Sequence, residues 1–87
     1  MDVIITLMAD NFSRDFSLPA NVKLKDLCPR LLNALQSSYS TRFSDWKSIV
    51  LETDEGALAD YEATLADYGI CTGKYLYLSE EVKQDGI

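Results

Sequence analysis

Leu65-Ala66-Asp67-Tyr68-Gly69-Ile70-Cys71-Thr72-Gly73-Lys74-Tyr75-Leu76-Tyr77-Leu78 is the stretch whose reading decides how this chain folds. It reads as a tight turn feeding an alternating strand. Leu65, Tyr68 and Ile70 supply apolar anchors, while Gly69 and Gly73 permit the positive φ that a sharp reversal needs. In the strand that follows, Leu76 and Leu78 face one way and Tyr75 and Tyr77 the other.

The N-terminal end mirrors this pattern. Asp2 to Met8 alternates, with Val3, Ile5 and Leu7 on one face and Asp2, Ile4 and Thr6 on the other. Ala9-Asp10-Asn11 is turn chemistry, and Arg14 to Leu18 alternates again through Phe16 and Leu18. Residues 2 to 18 therefore read as a β-hairpin, which Pro19 and Asn21 end. A helix follows, its core stripe formed by Leu27, Leu31, Ala34 and Leu35. Pro29 fits if Asp26 is the N-cap, because a proline in the first turn lacks only an N–H that has no partner there. The regular helix is accordingly expected from near Asp26 to near Ser38, after an irregular lead-in over Val22 to Lys25. Gln36 to Thr41 shows no apolar period and reads as a loop. Lys47 to Glu52 is a third strand with Ile49 and Leu51 inward. A short fourth strand around Ala57-Leu58 follows the Asp54-Glu55-Gly56 turn, and Tyr75 to Ser79 is the last strand. This places one α+β domain over residues 1–80, followed by a polar tail from Glu81 to Ile87 that is expected to fray.

Hairpin, helix, strand, short strand and final strand in that order describe a β-grasp: a mixed sheet of four to five strands packed on one helix, its first and last strands parallel at the centre. The closing segment resembles the last loop and strand of ubiquitin-like β-grasp proteins, and the likeness covers about residues 2 to 79. Phe16-Ser17-Leu18-Pro19, a proline near the helix start, and Asp67-Tyr68-Gly69-Ile70 closing at Gly73 resemble the YukD/EsaB-like group. These are small ubiquitin-like proteins associated with type VII secretion. The resemblance implies an accessory or regulatory role in that secretion, with a protein partner in its machinery.

Composition narrows the chemistry. Eighty-seven residues with 47% hydrophobic and 25% charged content suit one modest core. A net charge of −6 argues against nucleic-acid backbones and anionic membrane surfaces, which need a cationic footprint. No apolar run approaches a membrane-spanning length, and no basic-then-apolar signal opens the chain, so a cytosolic location is expected. The absence of histidine removes Ser-His and Cys-His activation and histidine metal sites. Cys28 reads as a small buried hydrophobe and Cys71 as an incidental, more exposed thiol, with no CxxC pair to suggest metal or redox work. Asp54, Glu55, Asp60, Glu62 and Asp67 lack the alternate spacing of a calcium loop and read as a solvated acidic face. No catalytic group, cofactor site or metal site is expected.

Ubiquitin-type modifiers and sulfur carriers end in two glycines so that the terminal carboxylate can thread an activating enzyme. Here the last strand is followed by Ser79-Glu80-Glu81-Val82-Lys83-Gln84-Asp85-Gly86-Ile87, with no Gly-Gly. A non-covalent binding module is the expectation, and a covalent modifier or sulfur carrier the alternative. If the sheet buries Val3, Ile5, Ile49, Leu51, Leu76 and Leu78, its other face presents Ile4, Val50, Tyr75 and Tyr77 as a protein-binding surface. The competing reading is an ordinary sheet face with scattered apolar residues. The helix edge at Cys28 and Leu32 is a second candidate, for a homodimer contact. Trp46 reads as core margin below the helix.

Overall fold

The computed structural model describes residues 1–80. Strands β1 (Asp2–Ala9) and β2 (Phe12–Pro19) form the hairpin, paired antiparallel in unbroken register from Asp2 opposite Pro19 to Ala9 opposite Phe12. Asn11 turns the hairpin at a φ of 56°. This left-handed conformation suits asparagine because its short polar side chain tolerates it. Helix α1 (Leu24–Ser38), a single helical turn α2 (Ser40–Phe43), and strands β3 (Ile49–Thr53), β4 (Gly56–Ala57) and β5 (Tyr75–Glu80) complete the chain. The five strands lie in the order β2-β1-β5-β3-β4. β1 and β5 run parallel at the centre, with Thr6, Leu7 and Met8 opposite Tyr75, Leu76 and Tyr77. β3 runs antiparallel to both β5 and β4. The expected tail, residues 81–87, lies outside the described residues.

One face of this sheet carries the core. Val3, Ile5, Leu7, Ile49, Leu51, Leu76 and Leu78 are all buried, as the strand alternation predicts. Against them α1 sets Leu24, Leu27, Cys28, Leu31, Leu32 and Leu35. The buried arc is wider than the expected stripe, and it is shifted. At 100° per residue two rows, Leu24-Cys28-Leu32 and Leu27-Leu31-Leu35, make one broad band. Ala34 falls beyond its margin and is exposed, contrary to expectation. Cys28 and Leu32 keep only 7% and 6% of their surface, because they belong to the chain's own core. The helix edge proposed for a homodimer is therefore already covered from within.

The helix also begins earlier than expected. Asp26 is not the N-cap: Lys23 holds that position and makes no side-chain cap bond. The first amides are instead satisfied from a distance. The Leu24 N–H donates to the Ala63 carbonyl at 2.8 Å and the Lys25 N–H to the Tyr61 carbonyl at 2.9 Å. A loop far along the chain thus does what a local cap would do, and Asp26 sits in the first turn, where its charge complements the helix dipole. Pro29 then lies inside the helix rather than in its first turn.

The region expected to be loop after Gln36 contains α2, which exists to bury Phe43. Phe43 is fully enclosed and meets Phe12 and Trp46 edge-on, at centroid distances of 5.2 and 4.9 Å. The Gln36 side-chain amide donates to the Phe43 and Trp46 carbonyls at 3.1 and 2.8 Å, tying the turn to α1. Trp46 is half-buried at the edge of the core, as expected. β3 starts at Ile49, two residues later than expected, with Ile49 and Leu51 inward.

Candidate functional site

The face of the sheet away from α1 is uncovered among the described residues. The register builds it row by row. Ile4 lies beside Ser17; Thr6 lies between Asp15 and Tyr75; Met8 lies between Ser13 and Tyr77; Tyr77 faces Glu52; Ser79 faces Val50. Ile4, Tyr75 and Tyr77 expose 52%, 61% and 47% of their surface, and Val50 is half-buried. All four predicted residues are on this one face. They do not form a compact cluster. Tyr75 and Tyr77 stand at the centre, whereas Ile4 and Val50 lie at opposite ends of a diagonal, six residues apart along the strands or roughly 20 Å.

Between the tyrosines and the edges the face is polar, and its polar groups are organised. The Thr6 hydroxyl donates to Asp15 Oδ1 at 2.6 Å, and the Ser79 hydroxyl donates to Glu52 Oε1 at 2.8 Å. Each bond orients a carboxylate across a strand boundary, in or next to a row that holds a tyrosine. Met8 was not singled out from the sequence, though the alternation of Ile4 and Thr6 continues straight to it. Asp15 and Glu52 carried no such signal, because their neighbours come from other strands.

The closing loop supports this face rather than adding a site to it. The Ile4 N–H donates to the Thr72 hydroxyl and the Gly73 N–H to the Ile4 carbonyl, each at 3.0 Å, so the loop is stitched to β1 just before β5 begins. Leu65 and Ile70 are buried anchors as expected. Tyr68 is exposed, a departure from its expected role as an apolar anchor, but its hydroxyl accepts the Asp60 N–H at 2.8 Å. Thr64 and Asp67 cap the turn reciprocally, side chain to backbone, at 3.0 and 3.1 Å. Gly69 and Gly73 take φ values of 72° and 97°.

Several of the acidic side chains outside the sheet face are engaged in local structure. Asp60 accepts the Glu62 N–H, and Glu62 receives both Lys23 and Lys25 at 3.1 Å. Hydrogen bonds from Lys23 and then Lys25, reinforced by their charges, hold the Glu62 carboxyl below its ordinary value. Among the described residues no group of three or more His, Cys, Asp or Glu is placed to hold a metal ion. Cys28 is buried and Cys71 exposed. A groove of about 590 Å³ opens at the far end of the sheet, where Met8, Asp10, Arg42, Trp46, Tyr77 and Glu80 meet.

The fold has close structural counterparts. The ubiquitin-like domain of EccD5 from Mycobacterium xenopi superimposes with a TM-score of 0.78 at 13% identity, over 97% of this chain and 99% of that one. The ubiquitin-like domain of the Mycobacterium tuberculosis type VII secretion protein ECCD1 follows at 0.76 and 16%, over 92% and 99%. A chain of a MycP5-free ESX-5 inner membrane complex matches at 0.76 and 16%, over 99% of this chain but 22% of that longer one. These likenesses establish a ubiquitin-like β-grasp. No curated protein sequence matches. The family model for "WXG100 protein secretion system (Wss), protein YukD" matches residues 2–78, nearly the whole described domain, and the chain belongs to the YukD family.

Proposed function

We propose that this protein is a non-enzymatic interaction module of type VII secretion, working in the cytosol by non-covalent docking of its open sheet face onto a protein of the secretion machinery. The observation that carries the reading is the pair of exposed tyrosines, Tyr75 and Tyr77, at the centre of a sheet whose other face is buried in the core under α1, Phe43 and the loop residues Leu58, Leu65 and Ile70. Tyrosine rings bury area on contact while their hydroxyls remain hydrated, which suits a surface that must be wet when free and dry when bound. Ile4 and Val50 extend the contact along the diagonal. Membership of the YukD family supports the secretion context. The occurrence of the same fold within an ESX-5 inner membrane complex supports a partner in the membrane-embedded apparatus. Among the described residues no helix is long and apolar enough to cross a membrane. Residues 1–80 carry this function, and the polar stretch Lys83 to Ile87 is dispensable for it.

The test is a double substitution, Val50→Lys with Tyr77→Lys, in a strain that depends on this protein for secretion. Both positions face away from the core, so circular dichroism and the urea midpoint should change little. Export of the WXG100-class substrate should fail, because the Tyr77 ring and the apolar Val50 surface are lost from the contact and two ammonium groups must be desolvated within it. Normal export by a folded, normally abundant variant would remove the sheet face from the mechanism.

A further inference from the structure

Among the described residues, the charged positions that the strand register places on the open face are all of one sign. By register its positions are Asp2, Ile4, Thr6 and Met8 on β1; Ser13, Asp15 and Ser17 on β2; Tyr75, Tyr77 and Ser79 on β5; and Val50 and Glu52 on β3. Three of these are acidic and none is basic. The nearby cations lie at its border or on the other side of the sheet. Arg14 pairs with core-facing Leu7 and so belongs to the opposite side of β2. Lys74 borders the face: it lines a groove with Tyr75, where Asp54 and Glu55 stand beside it. Arg42 lies at the rim, where its guanidinium donates to the Asp10 carbonyl. Among the described residues no lysine or arginine pairs with Asp2, Asp15 or Glu52.

Two of these carboxylates are held in place beside the aromatic rows. The Thr6 hydroxyl fixes Asp15 in the row of Tyr75, and the Ser79 hydroxyl fixes Glu52 directly opposite Tyr77. Each bond uses one carboxylate oxygen and leaves the other open to a donor. An oriented carboxylate next to an exposed tyrosine ring is complementary to a guanidinium, whose plane stacks on the ring while its N–H groups reach the oxygen. Resting on the docking role proposed above, we infer that the occupant of this face is an arginine-bearing, partly apolar extended segment of the partner protein. Its cations sit at Asp15 and Glu52, and its apolar side chains lie over Ile4, Met8 and Val50. The diagonal of roughly 20 Å matches about six extended residues. A segment of this chemistry also meets an overall charge of −6, which favours its approach.

The probe is a twelve-residue peptide alternating arginine and leucine, titrated into the isotope-labelled full chain and followed by amide NMR shifts. A second peptide replaces every arginine by citrulline, which keeps the shape and removes the charge. The arginine peptide should shift the amides of Thr6, Glu52, Tyr75 and Tyr77, and the citrulline peptide should bind at least roughly tenfold more weakly, the scale of a lost charge-assisted bond. Asp15→Asn with Glu52→Gln should cause a loss of similar size. Both replacements keep an oxygen that can accept from Thr6 and Ser79, so the fold is retained. Asp26→Asn with Glu62→Gln, equal in charge change but around the start of α1 on the other side of the sheet, should leave binding intact. Equal binding of the two peptides, or equal losses from the two pairs of substitutions, would overturn the inference, the latter by showing attraction to net charge alone. If Val50→Lys with Tyr77→Lys stops export while Asp15→Asn with Glu52→Gln changes neither export nor peptide binding, the docking face stands and its cationic occupant falls.

Discussion

Strand β5 shows two chemistries one residue apart. Leu76 and Leu78 are enclosed between the sheet and α1, whereas Tyr75 and Tyr77 point into solvent from the same six-residue strand. The inward pair is specified by packing alone: any well-fitting aliphatic side chain would serve. The outward pair is large, aromatic and flanked by oriented carboxylates, although an exposed strand position needs none of those properties for folding. The contrast separates residues that make the sheet from residues that the sheet displays. It also predicts where mutations should divide.

The sharpest division is between neighbours. Leu76→Ala should destabilise the protein by about 2–5 kcal/mol, since removing a fully buried leucine loses its transfer free energy and leaves a cavity. Leu31→Ala, on the facing helix, should cost as much. Tyr75→Ala, adjacent to Leu76 and exposed, should cost under about 1 kcal/mol. Urea titrations of the three variants are the measurement. Comparable losses at Leu76 and Tyr75 would mean that the tyrosine face contributes to folding and that its display needs no functional reason.

The core face was largely legible in the sequence because period-two alternation is a local property. Val3, Ile5, Ile49, Leu51, Leu76 and Leu78 could each be placed from two or three neighbours. Features set by distant contacts were not legible. The start of α1 depends on carbonyls of Tyr61 and Ala63, so no nearby capping residue marks it. α2 follows from the burial of Phe43 among aromatics supplied by β2, by Tyr39 between the two helices and by the loop before β3, and its own four residues show no helical period. The candidate site divides in the same way. Tyr75 and Tyr77 could be assigned to one face at once. That Ile4 and Val50 stand at opposite ends, and that Asp15 and Glu52 border the tyrosine rows, follows only from the strand register.

A smaller effect is expected where the loop that feeds β5 reverses. Gly69 has a φ of 72°, and a Cβ added there would meet no atom within 4 Å. Gly69→Ala therefore isolates conformational strain from packing. It should cost about 1–2 kcal/mol, the penalty for an L-residue in the left-handed region. Because the loop is stitched to Ile4, some of that strain should appear as altered amide shifts in β1, while peptide contacts at Tyr77 persist. A loss as large as that of Leu76→Ala would show that the loop and the core unfold as one tightly coupled unit, and would blur the division drawn along β5.

The smallest effect belongs to the exposed ion-paired group at the start of α1. Glu62 links Lys23 and Lys25, and all three side chains keep about half or more of their surface exposed, so solvent screens the interaction. Hydrogen bonds from Lys23 and Lys25 nevertheless lower the Glu62 carboxyl below its ordinary value. The folded state thus binds this proton less readily than the unfolded state does. Its stabilising contribution is complete above the ordinary glutamate range and disappears as pH falls through the lowered folded value. Glu62→Gln should reduce the melting temperature slightly at neutral pH, with the parent and variant curves converging in acid. Salt near 1 M should also bring them together, since the Debye length there is only about 3 Å. A difference that persisted in both conditions would assign the role of Glu62 to packing of the 61–64 segment on α1. The remote cap, rather than its charges, would then be what holds the helix start in place.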